Sequence, residues 1–359
     1  MLFTLYPIYW LADDLSGTPF ELARLPFGVV EGVRIESVRE RFREDAFDVW
    51  EVPAGTETIR MLKRVRYALV YRYEPEPIFI DDDVSGGGPR HLDPDRLVRS
   101  VAACLRLIRP MRQQALMMHG TIRDEDGSFD VRGFDVAPPD LIEVPEVQKL
   151  FALRNEDADA LKTYAPQFLE AMSGNFWKFR MAVQFHELGH FQSLDWRARY
   201  LLWSSAIESI YTSHDRNHQG SLVASSRIKW FIGEDTSIYA PGDISDLLQN
   251  PGITVGQIIG DLYEVRNFIA HGDKLPDSYF KNILRTGLAG GVVQLEVLLE
   301  AASFIIRTSL LKILRDNLLI YFADAAPAER FFGAQKLTKS ELRSAKTASA
   351  KSMYGPPGS

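Results

Sequence analysis

Cysteine is almost absent from this chain: Cys104 is the one example in 359 residues. That excludes an intrachain disulfide framework. Its setting, "VAACLRLI", reads as a buried core thiol in a reducing compartment. Charge-free apolar runs long enough for a membrane span are missing too. The longest candidate, 291 to 322, is interrupted by Glu296, Glu300, Arg307, Lys312, Arg315 and Asp316 and reads as a core helix. The start, "MLFTLYPIYWLADD", has no basic flank and runs from Pro7 into two aspartates, so it reads as a strand or buried segment, not a signal peptide. A cytoplasmic location is the expectation. Positive charge is in deficit: the formal net charge is −7. Tight non-specific nucleic-acid binders are usually basic, so the charge counts against that class. It leaves open a transient contact through a local patch. What the chain does have is 46% hydrophobic and 25% charged residues, the mix of a globular protein large enough for two domains.

Two textures divide it. Residues 1–145 are strand-rich. "RVRYALVYRY" places Val65, Tyr67, Leu69, Tyr71 and Tyr73 on one face. "GVRIESV" and "AFDVWEV" look like shorter strands. One helix interrupts them, "DPDRLVRSVAACLRLIRPM", with Asp93 or Asp95 as N-cap and Pro110 near its stop. "DDDVSGGGPR" lacks the Gly-Lys-Ser/Thr of a phosphate loop and reads as a linker. "RDEDGSFDVRGF" reads as a hairpin turn, since the later ligands of a calcium loop are missing. Residues 146–333 are helical in texture. Helices are expected over 145–153, 157–191 with a break near Gly174, 195–213, 219–232, 254–271 and 290–322. The polar, basic segment 334–359 is expected to be a flexible tail. The expected fold class is α+β.

"HELGH", residues 186–190, fits the zinc-protease pattern in which two histidines one helical turn apart ligate a metal and the glutamate acts as base. Catalytic zinc needs a third protein ligand. With a short turn at 192–195, the residues beside His186 and His190 are about 196–202, "WRARYLL", which offer none. Glu208 would lie on the order of 9–10 Å past the histidines at 1.5 Å per residue. A metal set of His186, Glu187 and His190 is therefore the alternative, and two polar histidines near a helix end is the plainer reading.

"TVGQIIGDLYEVRNFIAHGDKLPD" is more consistent internally. Thr254 and Gln257 spell a capping box. Val255, Ile258, Ile259, Leu262, Val265 and Ile269 recur at helical spacing, and Gly272 fits the position just past the helix end. Asn267 and His271, at i and i+4, fall away from the apolar stripe, with Arg266 at its flank. Two readings fit those positions: a solvated helix end with a dipole-favoured histidine, or a site facing a ligand or partner.

An arginine followed by a histidine after four to six residues occurs three times, at Arg112/His119, Arg180/His186 and Arg266/His271. Only the last has Arg-Asn, then Ala-His-Gly, near the end of a capped amphipathic helix. In that context "LYEVRNFIAHGD" resembles the signature of the HEPN superfamily. "RARYLLWSSAIESIYTS", with Ala206, Glu208 and Ile210, "SSRIKWFIG" and "QLEVLLEAASFIIRTSLLKIL" are similar to helices of its Apea-like branch, and "AACLRLIRP" to a stretch often found upstream. The likeness covers roughly 145–325 well and the first half loosely.

The resemblance implies a strand-rich N-terminal domain, a possible sensor, followed by an all-α HEPN-type bundle over 146–333. It implies a metal-independent endoribonuclease without cofactor, in a defence or toxin-type context such as anti-phage defence. His271 would be general acid or base on the ribose 2′-hydroxyl, Arg266 would stabilise charge on the scissile phosphate, Asn267 would orient His271 or the phosphate, and Glu208 would support the set. RNA, bound transiently, and a second copy of the chain are the implied partners. No membrane and no DNA are expected. Two other readings stay open: a non-catalytic HEPN dimerisation or sensor module, and a zinc metallohydrolase built on His186, Glu187 and His190.

Overall fold

The computed structural model describes residues 1–8, 32–38, 40–42, 46–47, 59, 62–63, 65, 67–74, 94–109, 117–134, 154–190, 195–212, 220–238, 253–273 and 291–333. Within these the chain is mixed α+β. It divides into two compact units, Met1–Gly174 with His190–Asp195, and Asn175–Gly189 with Trp196–Ser359. The expected helix 145–153, the linker 81–90, most of "AFDVWEV", Asp93, Pro110 and the tail 334–359 lie outside the described residues.

The first unit holds a five-stranded antiparallel sheet in the order β2-β3-β1-β4-β5. The strands are β1 (Leu2–Ile8), β2 (Arg34–Ser37), β3 (Tyr67–Tyr73), β4 (Met118–Ile122) and β5 (Phe129–Phe134). The strand expected from the alternation in β3 is present, and Ala68, Leu69, Val70 and Tyr71, from both of its faces, are all buried. Both faces of the sheet are covered. Phe3, Leu5, Ala68, Val70, Met118 and Phe129 join one apolar cluster. On the other face lies helix α1 (Pro94–Ile108), where Asp95 accepts from Thr4 Oγ1 at 3.0 Å and buried Arg106 donates to the Tyr6 hydroxyl at 2.8 Å. Pro7 sits in a central strand because β4 pairs only with residues 2–5, leaving β1 a single neighbour at Pro7. The β4–β5 connection is the expected hairpin turn, with the Ser128 N–H on Asp126 at 2.8 Å.

Helix α2 (Asn155–Ser173) belongs to this unit, beyond the expected division at 145. Its first turn explains the attachment. Asp157 takes both Arg109 Nε and Nη2, at 2.9 and 3.0 Å, and also the Arg154 N–H. A bidentate pair of this kind fixes orientation as well as distance.

The second unit is helical: α3 (Trp177–Leu188), α4 (Trp196–Tyr211), α5 (Gly220–Ile232), α6 (Val255–His271), α7 (Gly291–Arg315), a 3-10 turn (Leu319–Phe322) and α8 (Ala325–Phe332). The break near Gly174 is where the sequence placed it. α3 and α4 run antiparallel. Lys178, at the start of α3, donates to the carbonyls of Ser209 and Thr212 at the end of α4, and Trp203, in mid-α4, meets His186 near the end of α3. α6 docks on α4 through Tyr200, whose hydroxyl donates to the Leu262 carbonyl at 2.7 Å. α7 joins through Ser309, 2.6 Å from the Tyr211 hydroxyl.

The expected helix 290–322 is corrected. α7 stops at Arg315 because Asn317 takes a left-handed conformation (φ 53°), while the Asn317 and Leu318 N–H groups close on Leu314 and Ile313. α8, which the sequence reading missed, starts on Asp324, whose carboxylate accepts the Ala325 N–H at 2.6 Å. Among the described residues, no helix is long and apolar enough to cross a membrane.

Candidate functional site

Helix α6 is defined at both ends by its own sequence. Gln257 Oε1 accepts the Thr254 N–H at 2.9 Å, in the expected capping box. At the other end Gly272 is left-handed (φ 72°), its N–H on Ile269 O at 3.1 Å and the Asp273 N–H on Phe268 O at 2.9 Å. This is a Schellman closure, and an L side chain at Gly272 would be strained. Val255, Ile258, Ile259, Leu262, Tyr263 and Val265 form the buried stripe. Ile269, expected in it, is half-buried, and Tyr263 takes a place the sequence reading did not give it.

The helix therefore presents Asn267 and His271 outward, and both are exposed. Arg266 lies at the margin, half-buried. Its Nη2 is 3.1 Å from Glu208 Oε1 and 3.3 Å from Oε2, and its Nη1 donates to Asn267 Oδ1 at 3.2 Å. Glu208 comes from α4, whose neighbouring Ala206, Ile207 and Ile210 are in the core. Three of the four expected residues are thus joined by polar contacts: Arg266, Asn267 and Glu208. His271 stands one turn on from Asn267 along the same exposed face. Both sides of the Arg266–Glu208 pair keep about a third of their side-chain surface, 33% and 29%, so the pair is screened by solvent.

Tyr263 precedes Arg266 by three residues, which places the two on neighbouring parts of the α6 surface. It is only 8% exposed, and its hydroxyl has no hydrogen-bond partner among the described residues. Burial, and then the nearby Glu208 carboxylate, push the phenol well above its ordinary pKa, with Arg266 acting in the opposite direction. Sequence alone offered one signal for it: a polar-tipped aromatic inside an apolar stripe, one turn before Arg266.

The "HELGH" stretch has a different character. His186, read as one of two polar histidines near a helix end, does lie in the last turn of α3 and is wholly buried. Its Nε2 lies 3.4 Å from Ser303 Oγ on α7, and its ring stacks on Trp203 with centroids 5.9 Å apart. Trp203 Nε1 donates to the His186 carbonyl at 3.0 Å. Gly189 makes that approach possible: a Cβ there would stand 2.2 Å from Trp203 Nε1. The stretch is thus accounted for as a packing seam between α3, α4 and α7. Locally along the chain, one ligand atom each from His186, Glu187 and His190 lies within 4.8 Å of the others, so the alternative metal set keeps a geometric basis. Glu208, the other carboxylate considered for it, is held by Arg266. Arg112, His214 and His218 lie outside the described residues.

No family model matches this chain, and neither does any curated protein or solved structure.

Proposed function

We propose that the end of α6 is one half of a ribonuclease site of the HEPN type, completed by a second copy of the chain. The observation that carries the reading is the junction of Arg266 and Asn267 with Glu208 of α4, beside an outward-facing His271, at the end of a helix whose core stripe needs none of its own three. His271 takes the proton of a ribose 2′-hydroxyl. The 2′-oxygen bonds to phosphorus, the P–O5′ bond breaks, and the leaving 5′-oxygen takes a proton from water. The products are a 2′,3′-cyclic phosphate and a 5′-hydroxyl. Proton transfer by a placed side chain contributes about 10²- to 10⁴-fold in rate. Arg266 meets the charge that develops on the phosphate, for which a planar guanidinium is suited. Asn267 and Glu208 fix the Arg266 side chain. Residues five apart diverge by about 140° on a helix, which favours Arg266 and His271 of two copies acting together. A defence or toxin-type setting, with the sheet unit as sensor, belongs to the same reading.

The test is cleavage of labelled tRNA and mixed RNA in EDTA, beside His271→Ala and His186→Ala/His190→Ala. Cleavage that survives EDTA and is lost only with His271→Ala supports the reading. Cleavage that chelator abolishes, together with stoichiometric zinc in the preparation, supports the metal set instead. Absence of cleavage across all proteins supports a binding or sensor module.

A further inference from the structure

A buried hydroxyl without a partner is a cost. Leaving a buried donor unsatisfied destabilises a fold. Phenylalanine would fill the same space in the α6 stripe without that cost. Yet Tyr263 buries its hydroxyl, 8% exposed and unbonded among the described residues, one helical turn before Arg266, which pairs with Glu208 of α4. The other buried tyrosines of the same core differ: Tyr200 donates to the Leu262 carbonyl and Tyr211 shares a hydrogen with Ser309. Tyr263 is the exception, and Glu208 is the carboxylate that acts most strongly on it.

The pair explains what the hydroxyl is for. Glu208 presents two oxygens, and Arg266 Nη2 spans both, at 3.1 and 3.3 Å. While Arg266 is there, the carboxylate has its donor. When Arg266 turns outward onto an anion, Glu208 is left half-buried and uncompensated, a loss that opposes the movement. A phenol nearby that stays protonated throughout the working pH range can make that loss good.

We propose that Tyr263 is a reserve donor for Glu208: when an anion draws Arg266 away, the released Glu208 carboxylate turns onto the Tyr263 hydroxyl. No bond breaks and no proton is transferred; one hydrogen bond replaces an ion pair. Tyr263 is a positioning residue, since it acts through Glu208 and Arg266. The inference rests on the ribonuclease reading only in naming an RNA phosphate as the anion.

The experiment needs no RNA. Arg266→Met removes the guanidinium and keeps much of its aliphatic stem, so it mimics withdrawal of Arg266. Thermal unfolding is measured for the parent, Tyr263→Phe, Arg266→Met and the double variant. In the parent, Tyr263→Phe removes an unbonded hydroxyl and holds or raises the melting temperature. In Arg266→Met it removes the bond to Glu208 and lowers it, so the two shifts differ by about 2–4 °C, the effect of roughly 1 kcal/mol in a unit of this size. Equal shifts in both backgrounds overturn the proposal. Should Arg266→Met not fold, Arg266→Gln replaces it in the same cycle. A parallel measurement uses a labelled 2′-O-methyl oligonucleotide, which 2′-hydroxyl attack cannot cleave. An RNA-binding site gives several-fold weaker binding in Tyr263→Phe. An oligonucleotide bound equally by the parent and Arg266→Met removes RNA from the site, while the unfolding cycle still decides the role of Tyr263.

Discussion

α3 and α6 each end near a histidine and a glycine, and the two ends are built differently. At the end of α3, His186 is wholly buried, stacked on Trp203 and set against Ser303. Gly189 is there for space, since any Cβ would meet the Trp203 indole, while its backbone is ordinary α-helical (φ −65°). At the end of α6, His271 is exposed. Gly272 is there for conformation: nothing lies within 4 Å of a Cβ built on it, but its φ is +72°. A glycine that yields room belongs to a packing seam. A glycine that only turns the chain leaves the last side chains of its helix facing outward, where a ligand or a second copy can reach them.

The comparison breaks most sharply at the two histidines. His271→Ala should lower RNA cleavage by about 10²- to 10⁴-fold and leave the unfolding midpoint within error of the parent, because an exposed side chain carries little packing. His186→Ala should do the reverse. Removing a wholly buried ring stacked on Trp203 costs about 2–5 kcal/mol in chemical denaturation, with cleavage retained in whatever fraction stays folded. Cleavage lost by His186→Ala in fully folded protein would reverse the assignment of the two ends.

The glycines sharpen it on a smaller scale. Gly189→Ala forces the Trp203 indole off the His186 carbonyl and should cost about 2–4 kcal/mol, overpacking together with a lost buried hydrogen bond. Gly272→Ala meets no atom and should cost only about 1–2 kcal/mol, the penalty of a left-handed L residue. Gly272→Asn should recover part of that, because asparagine tolerates the conformation, whereas Gly189→Asn should be worse than alanine. Urea unfolding of the four variants checks the crossed pattern.

How far these ends were legible in the sequence follows from which forces made them. α6 was readable at once: cap, stripe and left-handed closure are local devices, and Thr254, Gln257 and Gly272 do what their types predict. The outward positions of Asn267 and His271 followed from the same periodicity. The burial of His186 was not readable, because it depends on Trp203 and Ser303, distant in the chain, arriving at one place. The same holds for α2, drawn to the sheet unit by the Arg109–Asp157 pair across a stretch with no local signal. The end of α7 was misread for the opposite reason. The apolar run continues through "LLIYF", and only Asn317 and the Asp324 cap, both short-range signals outweighed by hydropathy, mark the change of element. Tyr263 was hidden by a face that looked complete without its hydroxyl.

The smallest expected effect concerns Glu208, and it separates support from stability. The Arg266–Glu208 pair is about a third exposed on each side, and pairs of that kind contribute about 0–1 kcal/mol after screening and side-chain ordering. Glu208→Gln keeps the shape and a hydrogen-bonding oxygen, so the unfolding midpoint should move little, and less still in high salt. If the carboxylate served only to tie α4 to α6, RNA cleavage would be equally insensitive. If it aims Arg266, the neutral side chain lets the guanidinium wander. Cleavage should then fall several-fold through kcat, while RNA binding is held or slightly tightened, because Arg266 no longer has a competing anion. A fall in both stability and binding would mark Glu208 as a structural tie. A fall in kcat alone, in a protein that unfolds like the parent, is the outcome expected of a residue that acts through Arg266.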